Sequence, residues 1–206
     1  SLIPRKDEIL KKLWEAYHVD SISGQWDYIE PVLFGYAAGA VIASYVENFC
    51  TATDKIAAHF HEWMTAAGGL YLRRHAPYVA TLFTTHATVM GRCIAGNHLP
   101  LYTDLTKFNA DELARQFNVV AKHSIEKAAA AYHDAFVTVS DITANECKFL
   151  LGREPDCITP NGFENDFVWT GEEYDAKRAE ARKTMISVAE ACLGEKFAEE
   201  PLIVGT

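Results

Sequence analysis

Between Ile56 and Thr159 four short apolar runs alternate with longer stretches of helical periodicity, and this alternation restricts the fold more than any other feature of the chain. Ile56–Phe60, Tyr78–Thr84, Phe136–Val139 and Cys157–Thr159 read as buried strands, being apolar and too short for helices. Strands joined through helices must run parallel, because a parallel pair needs a long crossover. The expected fold class is therefore α/β, a parallel sheet with flanking helices and right-handed crossovers.

The helical segments carry their own signals. Ile9, Leu10, Leu13, Trp14 and Tyr17 form one stripe of a first helix over Arg5–Tyr17. A second helix, Tyr28–Phe49, is apolar almost all round and rich in Gly and Ala, so it is expected to pack on several sides. Its apolar stretch, Pro31–Val46, is shorter than the ~20 residues a bilayer requires, which favours a core helix. Met64–His75 reads as a helix in which Gly68 and Gly69 let another backbone approach closely. Asn109 is placed to cap one long helix reaching Tyr132, and Ser140 to cap another ending at Gly152. Thr170 and Glu173 form a capping box for a last helix that is polar on most faces and ends near Gly194. Pro201–Val204 looks like a new strand. With no Met at its start, the chain is expected to be part of a longer one.

Composition bounds the chemistry. With 206 residues, 49% of them hydrophobic, the chain can bury a core. A net charge of −9 argues against nucleic acid and anionic membranes as partners, since both demand a basic surface. Five widely spaced cysteines without a Cys-x-x-Cys pair point to a reduced, cytoplasmic protein. The sequence holds no Walker-type phosphate loop and no Gly-x-Ser-x-Gly elbow. It also lacks an Asp-x-Asp pair, so a metal-free mechanism without a cofactor is expected.

In a parallel sheet ligands bind beyond the carboxyl ends of the strands. The unusual polar residues collect there: His59, His61 and Glu62 after the first strand, Thr85 and His86 after the second, Thr138 and Ser140 after the third, Asn161 and Gly162 after the fourth. Each has a plainer reading. His59 and His61 share a strand face, which suits a metal pair but more often a packed or hydrogen-bonded pair. His86 also fits a turn cap, Arg92 a surface cation, and Asn161-Gly162 a turn in which both residues tolerate positive φ.

The strings Ala58-His59-Phe60-His61-Glu62-Trp63, Phe83-Thr84-Thr85-His86-Ala87-Thr88 with Gly91-Arg92, Val137-Thr138-Val139-Ser140 with Glu146, and Thr159-Pro160-Asn161-Gly162 resemble, in order and spacing, the glycogen synthases of animals and fungi. The resemblance covers roughly Tyr28 to Phe167. It implies residues 1–168 as part of an N-terminal Rossmann-like domain of a GT-B-type glycosyltransferase, and residues 169–206 as a connecting helix with the first strand of a second domain. It further implies retaining transfer of glucose from a nucleotide sugar, UDP-glucose by the branch resembled, to an α-1,4-glucan acceptor, in a homo-oligomeric parent. The family's catalytic glutamate and diphosphate-gripping residues have no counterpart here, so the chain alone is expected to be inactive. Carried over by position, His61 and His86 line the sugar side of the cleft, Arg92 stabilises the departing phosphate, Glu62 orients His61, and Asn161 and Gly162 face the site. Lys122–Lys127 depart from the family's usual Arg- and Tyr-bearing pattern before its alanine run. Two other readings are another glycosyltransferase of the same fold (sucrose, trehalose or cell-surface glycan type) and a non-catalytic module that docks through Gly171–Leu193.

Overall fold

Four strands, β1 (Ala57–His61), β2 (Ala80–Thr85), β3 (Ala135–Thr138) and β4 (Cys157–Ile158), lie side by side in chain order, and every neighbouring pair is parallel. The computed structural model describes residues 2–164, 168–197 and 201–202. The helices are α1 (Lys6–Tyr17), α2 (Trp26–Phe49), α3 (Glu62–His75), α4 (Val89–Gly96), α5 (Leu101–Asp104), α6 (Ala110–Gln116), α7 (Val120–Tyr132), α8 (Asp141–Glu146) and α9 (Glu172–Leu193). The α/β class and the four strands agree with the sequence to within two residues at each boundary. The chain divides into two compact units, Ser1–Asn161 and Gly162–Thr206.

The core of the first unit is built on consecutive parallel partners. Phe60 pairs in register with Phe83, and Phe83 with Phe136; all three are buried, and the Phe83 and Phe136 rings stack 5.7 Å apart. Glycine decides how the helices cover this core. A Cβ at Gly39 would sit 2.5 Å from the Gly68 carbonyl oxygen, and one at Gly68 would sit 2.7 Å from the Gly35 carbonyl and 2.5 Å from the Phe60 ring. α2 and α3 therefore touch backbone to backbone, as Gly68 led one to expect. Gly69 makes room for a side chain instead. A Cβ there would fall 1.8 Å from Nε2 of His133, so its hydrogen is what admits that buried imidazole.

Other sequence expectations need correction. α2 packs closely on one side only; Phe34, Val41, Tyr45 and Phe49 stand exposed along the other. At 24 residues α2 is also long and apolar enough, by length and composition, to cross a membrane, so the length argument made on Pro31–Val46 does not hold. The single helix from Asn109 to Tyr132 is two, because Asn118 takes a left-handed φ of 56° that interrupts the run. Asn109 caps the first of them, accepting from the Glu112 amide. Ser140 caps α8 as expected, and that helix widens into a π-turn over Cys147–Leu151 before Gly152 ends it at φ 75°. The capping box of Thr170 and Glu173 does not form: Gly171 occupies the cap with φ 66°, which leaves Thr170 one residue too early. In the second unit α9 ends at Gly194 in the left-handed region and is exposed along nearly its whole length. Half of the strand expected at Pro201–Val204 falls outside the described residues, and Pro201 and Leu202 are not in a strand.

Candidate functional site

β1 and β2 bring their ends together by register, since His61 pairs with Thr84. His61 is the last residue of β1. At Glu62, where the strand turns into α3, the backbone takes φ 62°. That conformation costs a non-glycine residue of order 1 kcal/mol or more and is tolerated where the surroundings demand it. Here the demand is visible: the Glu62 carboxylate accepts a 2.9 Å hydrogen bond from the backbone N–H of His86. Glu62 thus holds the backbone of the second histidine, where the sequence had it orienting the ring of the first.

The rings meet above this backbone. Nδ1 of His61 lies 3.1 Å from Nε2 of His86, with the ring centroids 5.4 Å apart and stacked. His59 joins from the same face of β1, its centroid 4.1 Å from that of His61, with Nε2 2.7 Å from the Thr84 hydroxyl. Of the two sequence readings of His59 and His61, the packed and hydrogen-bonded one is what is found. Burial first, and the imidazoles of His61 and His86 second, hold His59 below its ordinary pKa and favour its neutral form. Among the described residues no three His, Cys, Asp or Glu side chains stand close enough together to hold a metal ion.

The segment displaying His86 is gripped from beneath. After Thr85 the chain runs through His86 and Ala87 to Thr88, whose hydroxyl caps α4 by accepting from the Gly91 amide at 2.9 Å. The same hydroxyl donates to Oε2 of Glu146 at 2.8 Å, and a Cβ at Gly91 would stand only 2.2 Å from that oxygen. Glu126, fully buried on α7, accepts from the Thr85 hydroxyl at 3.1 Å and from the Val89 amide at 2.9 Å. Burial pushes its carboxyl up to about 8, against the pull of those two hydrogen bonds. Neither α4 nor these buried carboxylates was read as part of the site from sequence. The available signal was a glutamate just ahead of an alanine run: Glu126 shares the buried side of α7 with Ile125, Ala129 and Ala130, where a charged residue requires partners.

Arg92 follows one turn after the cap, its amide donating to the Thr88 carbonyl at 3.0 Å; its side chain is exposed and outside every ion pair among the described residues. Fixing the loop that carries His86 therefore also fixes the start of the helix that carries Arg92. The division between the two units runs between Asn161 and Gly162, both are exposed, and neither has a positive φ. A side chain at Gly162 would meet nothing within 4 Å, so the turn argument made from sequence does not explain the glycine.

A family profile described as glycogen synthase matches residues 4–186. The chain belongs to the glycogen synthase family. Curated relatives named glycogen [starch] synthase are similar over about three quarters of it: 36% identical over 153 residues in Dictyostelium discoideum, covering 74% of this chain and 17% of that protein. The Neurospora crassa protein is 35% identical over 151 residues, covering 73% and 21%, and the liver form of Homo sapiens 34% over 152 residues, again 73% and 21%. The chain thus spans about a fifth of the length of these glycogen synthases. A parallel α/β sheet with flanking helices suits a Rossmann-like domain of that family.

Proposed function

We propose that this chain supplies the sugar-side rim of a retaining glucosyltransferase that moves glucose from a nucleotide sugar, UDP-glucose, to the non-reducing end of an α-1,4-glucan. Family membership over residues 4–186 supports the reaction class, and the imidazole pair of His61 and His86 at the carboxyl ends of β1 and β2 is the observation that carries the site. In the reaction the bond from the anomeric carbon to the leaving diphosphate breaks and a bond to an acceptor hydroxyl oxygen forms. The hydroxyl proton leaves with the diphosphate.

This chain's groups have distinct parts in that reading. His61 and His86 hydrogen-bond glucose hydroxyls and favour the positive charge developing at the anomeric carbon. Arg92 offers a cation to the departing phosphate, a type of electrostatic help that is often the largest catalytic contribution. Glu62 fixes His86 through its backbone, and Asn161, which follows β4, borders the site from the end of the sheet. The reading needs no cofactor beyond the sugar donor and no metal. It places the reaction in the cytoplasm, in a homo-oligomeric parent whose remaining segments complete the donor site.

The test is transfer of labelled glucose from UDP-glucose to glycogen by the longest natural polypeptide containing these residues, beside its His61→Ala and His86→Ala variants. Loss of transfer in both variants, with unchanged folding, is expected. Normal rates in both would remove the site assignment; no transfer by the unmodified protein from any nucleotide glucose would remove the activity.

A further inference from the structure

Beside the Thr138 hydroxyl, which donates to the Thr85 carbonyl at 2.8 Å, the loop from Thr85 to Val89 is held by carboxylates on three different elements. The His86 amide reaches Glu62 at the head of α3, the Thr88 hydroxyl reaches Glu146 on α8, and both ends of the loop reach Glu126 on α7. Glu126 is unusual among these. Its two oxygens bond two points four residues apart in sequence, Thr85 Oγ1 and Val89 N, on either side of His86. It touches neither imidazole and lies beneath the rim, fully buried together with Thr85 and Thr88.

The geometry points to Glu126 as a positioning residue for the transfer reaction: by bridging Thr85 and Val89 it sets the placement of His86 relative to the start of α4, and so relative to Arg92. The bridge suits a neutral carboxyl as well as an ionised one. Ionised, Glu126 accepts from both Val89 N–H and the Thr85 hydroxyl; protonated, it still accepts from Val89 N–H, while its other oxygen donates to the Thr85 oxygen and frees that hydroxyl to donate to the Ala87 carbonyl 3.3 Å away. Every hydrogen-bonding atom of the bridge is then matched. A glutamine amide reproduces this pattern, accepting with its oxygen and donating with its nitrogen, whereas an apolar side chain leaves a buried amide and hydroxyl unpaired. A plain structural tie would not need to span the catalytic loop, and Glu146 already caps the same helix start through Thr88.

The kinetic half of this inference rests on the glucosyl-transfer reading; the structural half does not. Glu126→Gln, Glu126→Leu and Thr85→Val are compared in two measurements. On the chain itself, ring 15N resonances of His61 and His86 report their mutual hydrogen bond. In the longest natural polypeptide containing it, kcat and KM for UDP-glucose are measured well below each variant's melting temperature. Glu126→Gln is expected to keep the ring resonances and kcat within about threefold of the unmodified protein. Glu126→Leu is expected to shift the resonances and lower kcat by about tenfold or more, with KM moving by less than about threefold, because Glu126 touches no substrate. Thr85→Val, which removes one of the two anchors with almost no change in shape, falls between them and decides the matter if Glu126→Leu does not fold. The inference is overturned if folded Glu126→Leu or Thr85→Val leaves both readouts unchanged, or if Glu126→Gln is as damaging as Glu126→Leu. If the unmodified protein transfers no glucose, the proposed function fails while the resonances still decide whether Glu126 positions His86.

Discussion

The rim of the sheet and the layer beneath it solve opposite problems. At the rim His61 is exposed, His86 half-buried, and among the described residues the second nitrogen of each ring has no side-chain hydrogen bond beside the ring-to-ring one. Beneath them Glu126 is fully buried and Glu146 nearly so, and their carboxylates are committed to the hydroxyls and amides of one loop. The imidazoles are left accessible, while the cost of burying carboxyl groups is carried one layer lower, by residues that hold the backbone still. Activity and stability should therefore separate by layer.

The largest expected effect is at the rim. His86→Ala should lower glucose transfer by about 100-fold or more, the scale of losing one oriented donor at a transition state, with the melting temperature of the chain unchanged. A matching fall in stability would mean that the imidazole belongs to the lower layer and would break the comparison. Next comes the packing that supports that layer. Gly68→Ala drives a methyl group into the Gly35 carbonyl and the Phe60 ring, and should cost about 2–3 kcal/mol in urea unfolding. A neutral result would mean that α3 can shift without loss, and that the backbone contact is incidental.

Third, buried acid and base should mark opposite arms of the stability–pH curve. Folded Glu126, pushed up to about 8 from 4.5, keeps a proton that the unfolded chain releases, so stability falls as pH climbs between those values. His133, held down to about 4 from 6.5 by burial, binds a proton on unfolding, so its contribution is lost as pH drops from 6.5 to about 4. Above pH 6.5 only the glutamate of this pair acts. Between pH 6.5 and 8 the unmodified chain should lose about 2 kcal/mol that Glu126→Gln retains, as read by denaturant midpoints at the two pH values. Equal losses in both would show that the carboxyl is not held neutral. The smallest effect serves as a control remote from both layers: Asn118→Ala should cost about 1 kcal/mol, and Asn118→Gly nearly nothing, because only the left-handed φ is at stake.

Much of this was legible in the residues, and what was missed has physical causes. Period and length gave the strands, because a run such as Phe136–Val139 can be buried on both faces only in a parallel sheet. Convergence of His61 and His86 followed from topology alone, since adjacent parallel strands must end on the same edge. The break at Asn118 escaped because apolar residues recur at helical spacing on both sides of it, and one left-handed residue barely disturbs that periodicity. α4 escaped as a short helix of eight residues, and the second bond of its cap, from the Thr88 hydroxyl to Glu146, joins residues 58 apart in sequence. The role of Glu126 was hidden for a related reason. Its partners are two points on a distant loop, and the sequence records the burial of such a glutamate only indirectly, by the alanines one helical turn on, Ala129 and Ala130.

The left-handed backbone at Glu62 sets two requirements against each other. Glycine is the residue most comfortable there, yet it would release the His86 amide; glutamate grips the amide and accepts the torsional strain. Directed evolution at this codon should therefore meet a ridge with no gentle descent, where easing the torsion loosens the histidine and keeping the histidine preserves the torsion. A protein improved only for heat resistance would be drawn towards glycine, and would become sturdier while losing its hold on the His86 amide.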